Sequence, residues 1–507
     1  MILYFIKSLK LLFIVLNLIC SLEGQSDFFF NNISVKDGLS ESTVKVVFED
    51  KTGLIYFGTE NGLDIYDGYK FKNYHMNSFD NSSIFGNKVS SIYQDRKKNI
   101  WLGTELGISV FDPNTRRFSR PIDPKDNNAQ LLANPETILE DKSGNIWIKL
   151  SENGFIYKYN PLLQETICLN CSDSSIFGNR KVSVLFSDHK GSVWIGTDNG
   201  LFLNDVTNEE IIEFSLSKGL DRSRINIIKE GKRGDLWVGT DNGLVKIDLG
   251  IDRGIKIYKK SVNENSIISN YIKDIDWDDT KNELWIATNK GLSRLVVHNE
   301  KFYNIQTTPY ADGIIENDIT EILYADKSRR LWFTTENHAG INCLSVIPNI
   351  ITGDLDTIFT HFEHDPIDER SIADNNVTDF IEDKAGNIWI TTAQNGVSFN
   401  SLIKPKFTSF RYDSENEWGL KNNKIYSIAV QEDGMLWVAT GFGLELLSSD
   451  GIREYEYNKS LLAVNYIIDL EIIDDHMLWV ATDLGVLKIN TMNDDVIRFT
   501  SSKETPK

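Results

Sequence analysis

Short apolar runs alternate with Gly, Asn and Asp along almost the whole chain, and the alternation has a fixed grammar. In the first clear copy, Val44-Lys-Val-Val-Phe48 is followed by Asp50-Lys-Thr-Gly53, then Leu54 to Thr59, Asn61-Gly62, Leu63 to Tyr66, Asp67-Gly68, and Tyr69 to Tyr74. Runs of four to six residues bounded by such turns predict four antiparallel strands joined by hairpins. No unit carries a 3.6-residue apolar period, so helical repeats are disfavoured.

The unit recurs ten times. Its anchoring aromatics are Tyr56, Trp101, Trp147, Trp194, Trp237, Trp285, Trp332, Trp389, Trp437 and Trp479. Successive anchors stand 42 to 48 residues apart, except for the 57 between Trp332 and Trp389. Four strands in roughly 45 residues is the size of one propeller blade, so the fold class read here is all-β. The recurring Trp is expected between neighbouring blades, where burying about 150–250 Å² stabilises by on the order of 4–6 kcal/mol before entropy is subtracted. Gly before Thr, as in Gly196-Thr197, allows close backbone approach; Ala287, Thr334, Thr391, Ala439 and Ala481 stand at that place in later units. The third unit is the least regular, reading Trp147-Ile-Lys-Leu150.

A closed propeller has to join its last blade to its first, and a strand from one chain end commonly does so. The apolar segment Phe28 to Val35 suits that task. The long interval suggests that unit seven lacks its own outer strand and borrows this one, with Thr357 to Phe362 opening a second ring. The expected organisation is therefore a signal segment at 1–24, a seven-bladed β-propeller at 25–347, and an incomplete second β-propeller of three blades at 348–507. A single ten-bladed ring is the alternative, and it leaves the 57-residue interval without a cause.

Composition narrows the function classes. The 507-residue chain carries a formal net charge of −20, which argues against nucleic acid and anionic membrane surfaces as partners. Lys7 and Lys10 precede the apolar stretch Leu11 to Cys20, the pattern of an export signal and too short for a comfortable membrane span. A lipid-modified Cys20 and a retained anchor are the alternatives. Beyond it lie Cys168, Cys171 and Cys343; Cys168-Leu-Asn-Cys171 reads as a local loop disulfide or free thiols before it reads as a metal or redox motif.

The repeats, with the opening Ile33-Ser-Val-Lys-Asp-Gly-Leu-Ser40 and Asp50-Lys-Thr-Gly-Leu-Ile-Tyr-Phe-Gly-Thr59, resemble the two-component regulator propeller repeat family from about residue 28 to 500. The resemblance implies a periplasmic sensor region of a hybrid two-component system histidine kinase, with two seven-bladed propellers, an immunoglobulin-like domain, a membrane helix and a kinase. Of these, the sequence is expected to supply propeller blades only. It also implies sensing of oligosaccharides derived from complex glycans.

For a ligand, the natural surface is the face where loops joining the second and third strands meet loops entering each blade. Those loops contribute Glu60, Asn61, Glu105, Asp198, Asn199, Asp241, Asn242, Asn289 and Lys290, and Asn87, Lys88, Asn179, Arg180, Arg222, Arg224, Asn270 and Asn317. From these the candidate ligand-binding set is Arg180, Arg222, Arg224, Asn87, Asp198, Asp241 and Asn270. Each Asn or Asp is also what a hairpin turn asks for; arginine is not, which favours the three arginines.

Other chemistry is weakly represented. Asp141-Lys-Ser-Gly144 and Asp383-Lys-Ala-Gly386 lack the repeated oxygen ligands of a calcium loop, and His361 and His364 have helical spacing in an extended setting. No Gly-x-Ser-x-Gly elbow, phosphate loop or His-Glu-x-x-His motif is present. No metal, cofactor or catalytic residue is expected. The expected function is an exported sensor binding an oligosaccharide, with self-association or a histidine kinase as protein partner and no membrane contact beyond the signal segment. The alternatives are a protein-binding scaffold and a polysaccharide-active propeller enzyme.

Overall fold

The computed structural model describes residues 28–500 apart from 122–131, 173–174, 206–209, 216–221, 232–233, 251–253, 263–264, 279–281, 307–318, 326–329, 336–339, 349–354, 401–419, 421, 432–434, 442, 449–450, 455–465, 475 and 494. The signal segment expected at 1–24 and Asn317 lie outside the described residues. The chain divides into a compact unit at 1–402 and a second at 403–507.

Every repeat is a four-stranded antiparallel sheet. Blade four is representative, with strands Val182–Ser187, Val193–Thr197, Gly200–Asn204 and Ile211–Phe214. Its first pair is offset by one residue between Val182 and Val184. The same bulge recurs in the first strand pair of each of the ten blades; a bulge increases local twist, as a radial stack of blades requires. The third repeat forms a complete blade despite its irregular sequence, with Lys149 buried and paired with Glu136.

Blade contacts follow from the repeat's grammar. Trp194 packs with Leu201 and Leu203 of its own sheet against Ile225 and Ile228 of the next. A Cβ on Gly196 would stand 2.5 Å from Val184 Cγ1 and 2.7 Å from Ile225 Cγ2, so the small residue before Thr lets adjacent sheets close on each other. The turns between the first two strands do a second job in five blades. The indole Nε1 of Trp101, Trp147, Trp194 and Trp389 donates to Asp95, Asp141, Asp188 and Asp383 at 2.8–3.0 Å, and Trp437 donates to Gln431 at 3.1 Å.

Ring closure differs from the expectation. Blade seven has its own outer strand: Ile341–Pro348 pairs along its length with Leu355–Phe362. The N-terminal strand Phe30–Ile33 instead completes blade eight, pairing with Val397–Asn400. The extra residues between Trp332 and Trp389 therefore extend one hairpin to eight residues per strand and do not mark a boundary. Thr357 to Phe362 does not open a second ring.

Blade eight then meets blade one. Val47 N–H donates to Asp379 Oδ2 at 2.9 Å, Thr43 Oγ1 to Ala393 O at 2.8 Å, and Gly396 N–H to Ser42 O at 2.8 Å. Trp389 and Val397 pack with Val44, Val47 and Phe57. Together with the successive contacts of the other blades, this closes the unit at 1–402 as a ring of eight sheets, where seven ending near 347 were expected. Among the described residues the second unit holds two blades, beginning at Ile425–Val430 and Ile467–Asp474, where three were expected.

Candidate functional site

An asparagine fastens the entry loop in three blades, and blade four, with a different residue at that place, has a cavity beside it. In blades two, six and eight, the residue two places before the first strand is Asn87, Asn270 or Asn375. Its side-chain oxygen accepts a backbone N–H from the end of the preceding blade: Met76 at 2.7 Å, Lys260 at 2.6 Å and His364 at 2.6 Å. Its carbonyl accepts the turn glycine of that blade, Gly62, Gly243 or Gly340. These asparagines are spent on backbone.

In blade four that place is held by Arg180, which can only donate. Residues 175–180 fold instead into two consecutive turns, with Gly178 N–H donating to Ser175 O at 3.0 Å and Arg180 N–H to Phe177 O at 3.2 Å. A disulfide between Cys168 and Cys171 ties the start of this loop to the end of the outer strand of blade three. Phe177 is buried against Phe202, their centroids 4.8 Å apart, while Ile176 is half-exposed.

The result is a cavity of about 760 Å³ lined by Ser175 to Arg180, Asp198, Asn199, Glu213 and Arg222. Arg180 is held in place on two sides. Its guanidinium lies over the Phe202 ring at 5.1 Å and its Nη2 meets Glu213 Oε1 at 3.0 Å. Asp198 accepts Lys181 N–H through Oδ1 at 3.1 Å, and its own N–H returns to Lys181 O at 2.9 Å. Arg222 is exposed at the lip, and among the described residues no side chain is paired with it.

Of the seven candidates, Arg180, Asp198 and Arg222 therefore share this cavity. The other four do not line it. Asp241 caps Arg224 N–H at 3.2 Å in blade five, as Asp198 does in blade four and Glu105 does for Asn87 and Lys88 in blade two. Arg224 is exposed away from the cavity, and Asn87 and Asn270 hold backbone. The lining residues Phe177, Asn179 and Glu213 were not among the candidates; the Asn-to-Arg change two places before the strand was the available signal.

His361 and His364 do not converge on a common point. His361 bonds Asn342 Oδ1 at 2.7 Å and Glu363 Oε1 at 2.9 Å, and His364 Nδ1 meets Ile372 O at 2.8 Å. Among the described residues no group of three or more His, Cys, Asp or Glu side chains is placed to hold a metal ion. No described helix is long and apolar enough to cross a membrane.

A ring of four-stranded blades closed by its own N-terminal strand is a β-propeller. Residues 83–105, 371–394 and 419–442 match the two component regulator propeller model. It is 29% identical over 306 residues to histidine kinase P4 of Formosa agariphila; the match covers 59% of this chain, and the chain spans 22% of that relative's length. Among solved structures, it is similar to the extracellular domain of a hybrid two component system from B. thetaiotaomicron (20% identity, 93% of this chain and 73% of that one, TM-score 0.35). It is also similar to virginiamycin B lyase from Staphylococcus aureus (14% identity, 74% and 100%, TM-score 0.37).

Proposed function

We propose that the chain is an exported, non-enzymatic ligand-binding sensor region, that its ligand is an oligosaccharide, and that the signal passes to a histidine kinase. The observation that carries the reading is the cavity of blade four. It brings two guanidiniums, two carboxylates, the amides of Asn179 and Asn199 and the Ser175 hydroxyl to one concave surface beside Ile176. Such a set can hydrogen-bond sugar hydroxyls in pairs while an apolar side chain covers a ring face. The two component regulator propeller repeats and the relative named as a histidine kinase support the kinase connection. Export rests on Lys7, Lys10 and the apolar stretch from Leu11 to Cys20. Calorimetry of the full chain against a panel of glycan fragments tests it: micromolar to millimolar binding lost in Asn199→Trp, which fills the cavity, is expected. Absence of binding by folded protein overturns it.

A second reading is favoured by the first strand of blade nine, where Ile425, Ile428 and Val430 are exposed. An apolar strand face of this kind suits a scaffold that binds protein. A stable complex recovered on that face, with no glycan binding, would support the scaffold over the sensor.

A further inference from the structure

We infer that the ligand of the blade-four cavity is acidic, carrying a carboxylate or sulfate that is held between Arg180 and Arg222. The inference rests on the oligosaccharide reading and adds the charge of the ligand to it. Within the cavity the two carboxylates are already engaged. Asp198 receives the Lys181 N–H, and Glu213 is ion-paired with Arg180. The Glu213 side chain is 51% exposed, so its attraction for Arg180 is screened and the pair is weak.

The two arginines have donors to spare. A guanidinium carries five N–H groups, and on Arg180 only Nη2 stands in an ion pair, 3.0 Å from Glu213 Oε1. Its plane is fixed by the Phe202 ring at 5.1 Å, so little side-chain freedom remains to be lost on binding. Arg222 lines the same cavity from the entry loop of blade five and has no partner among the described residues. A planar or tetrahedral oxyanion accepts paired N–H bonds from such groups with charge assistance, which a neutral hydroxyl cannot match.

The position also explains the loop. Arg180 occupies a place where three other blades use an asparagine to fasten backbone. Blade four gives up that fastening and gains a positive group, and the Cys168–Cys171 disulfide closes just before the loop.

The test is calorimetry of the full chain with three probes: xylotetraose, a tetragalacturonate and a sulfated galactotetraose. The acidic probes are expected to bind at least about tenfold more tightly than xylotetraose, with affinity falling as salt is raised from 50 to 500 mM. The two acidic arms separate a carboxylate from a sulfate ligand. Arg222→Gln, on an exposed side chain and with an unchanged unfolding temperature, is expected to abolish the preference, and Arg222→Lys to keep part of it. Equal binding of neutral and acidic probes, lost in Asn199→Trp, would overturn the charge inference while leaving the sensor reading intact. A preference that survives Arg222→Gln would also overturn it. If no probe binds, both fall.

Discussion

The carboxylate of Asp188 accepts the indole N–H of Trp194 at 3.0 Å, six residues along the chain, while its other oxygen receives the N–H groups of Lys190 and Ser192 at 3.0 and 2.9 Å. One side chain thus shapes the hairpin between the first two strands and fixes the tryptophan that packs against the next blade. Asp188→Ala leaves a buried indole donor unpaired along with two turn amides. A loss of about 2–3 kcal/mol is expected, measured by denaturant unfolding. Trp237 is the internal comparison, because Gly231 stands where the aspartate would be and its Nε1 has no acceptor.

Ring closure has its own pH dependence. Burial pushes the Asp379 carboxyl up to about 6, although Val47 and Phe380 N–H groups donate to it. An acid whose folded value lies above its ordinary one, 3.8, supplies stability below pH 4 that is lost as the pH rises through 6. Asp379→Asn is expected to remove this loss, so that the stability of the natural chain relative to the variant falls by on the order of 2 kcal/mol between pH 4 and pH 7. Urea midpoints at the two pH values check it; parallel changes in both proteins would contradict the assignment.

The N-terminal strand is a structural part of blade eight. Phe30 is buried with Trp332, Ile341, Phe380 and Ile388, and Asn32 bonds both Ser371 O at 2.9 Å and the Ser398 hydroxyl at 2.7 Å. Phe30→Ala is expected to destabilise the first unit by about 3 kcal/mol. Proteolysis should then cut first near residues 28–33 and 397–400, and hydrogen exchange would report the same site.

Equivalent isoleucines should respond oppositely in the two units. Ile228 and Ile428 occupy the same register position, opposite Val238 and Val438. Ile228 is 1% exposed and Ile428 is 59% exposed. Ile228→Lys buries a charge against Trp194 and is expected to cost more than about 4 kcal/mol. Ile428→Lys is expected to change stability by less than about 0.5 kcal/mol and to raise solubility.

Much of this was legible in the chain because the repeat states its strands and turns ten times over. What the pattern could not convey was which blade receives Phe30–Ile33. A surplus of residues can lengthen a linker or a hairpin, and Ile341–Pro348 with Leu355–Phe362 has the same apolar character in either case. Pairing between residues nearly four hundred positions apart is decided by which sheet lacks an edge strand, and no local period records that. The candidate site shows the converse problem. Asn87 and Asn270 have the chemistry of ligand groups but satisfy backbone, whereas Arg180 stands out once entry loops are aligned on their strands. The aspartates that open the turn between the first two strands lie a constant six residues before Tyr or Trp in five units, a spacing that marks them as indole or phenol partners.

Joining the ends of the first ring imposes an order on its making. The bond from Ser398 to Asn32 spans 366 residues, so the N-terminal strand leaves the ribosome with no sheet to join until the eighth blade follows it. Seven blades can stack while that strand waits, with Phe30 and Ile33 exposed and its edge open to any other strand. Synthesis slow enough for stray pairing, or a cell-free system without chaperones, should therefore trap open arcs that have every blade but no ring.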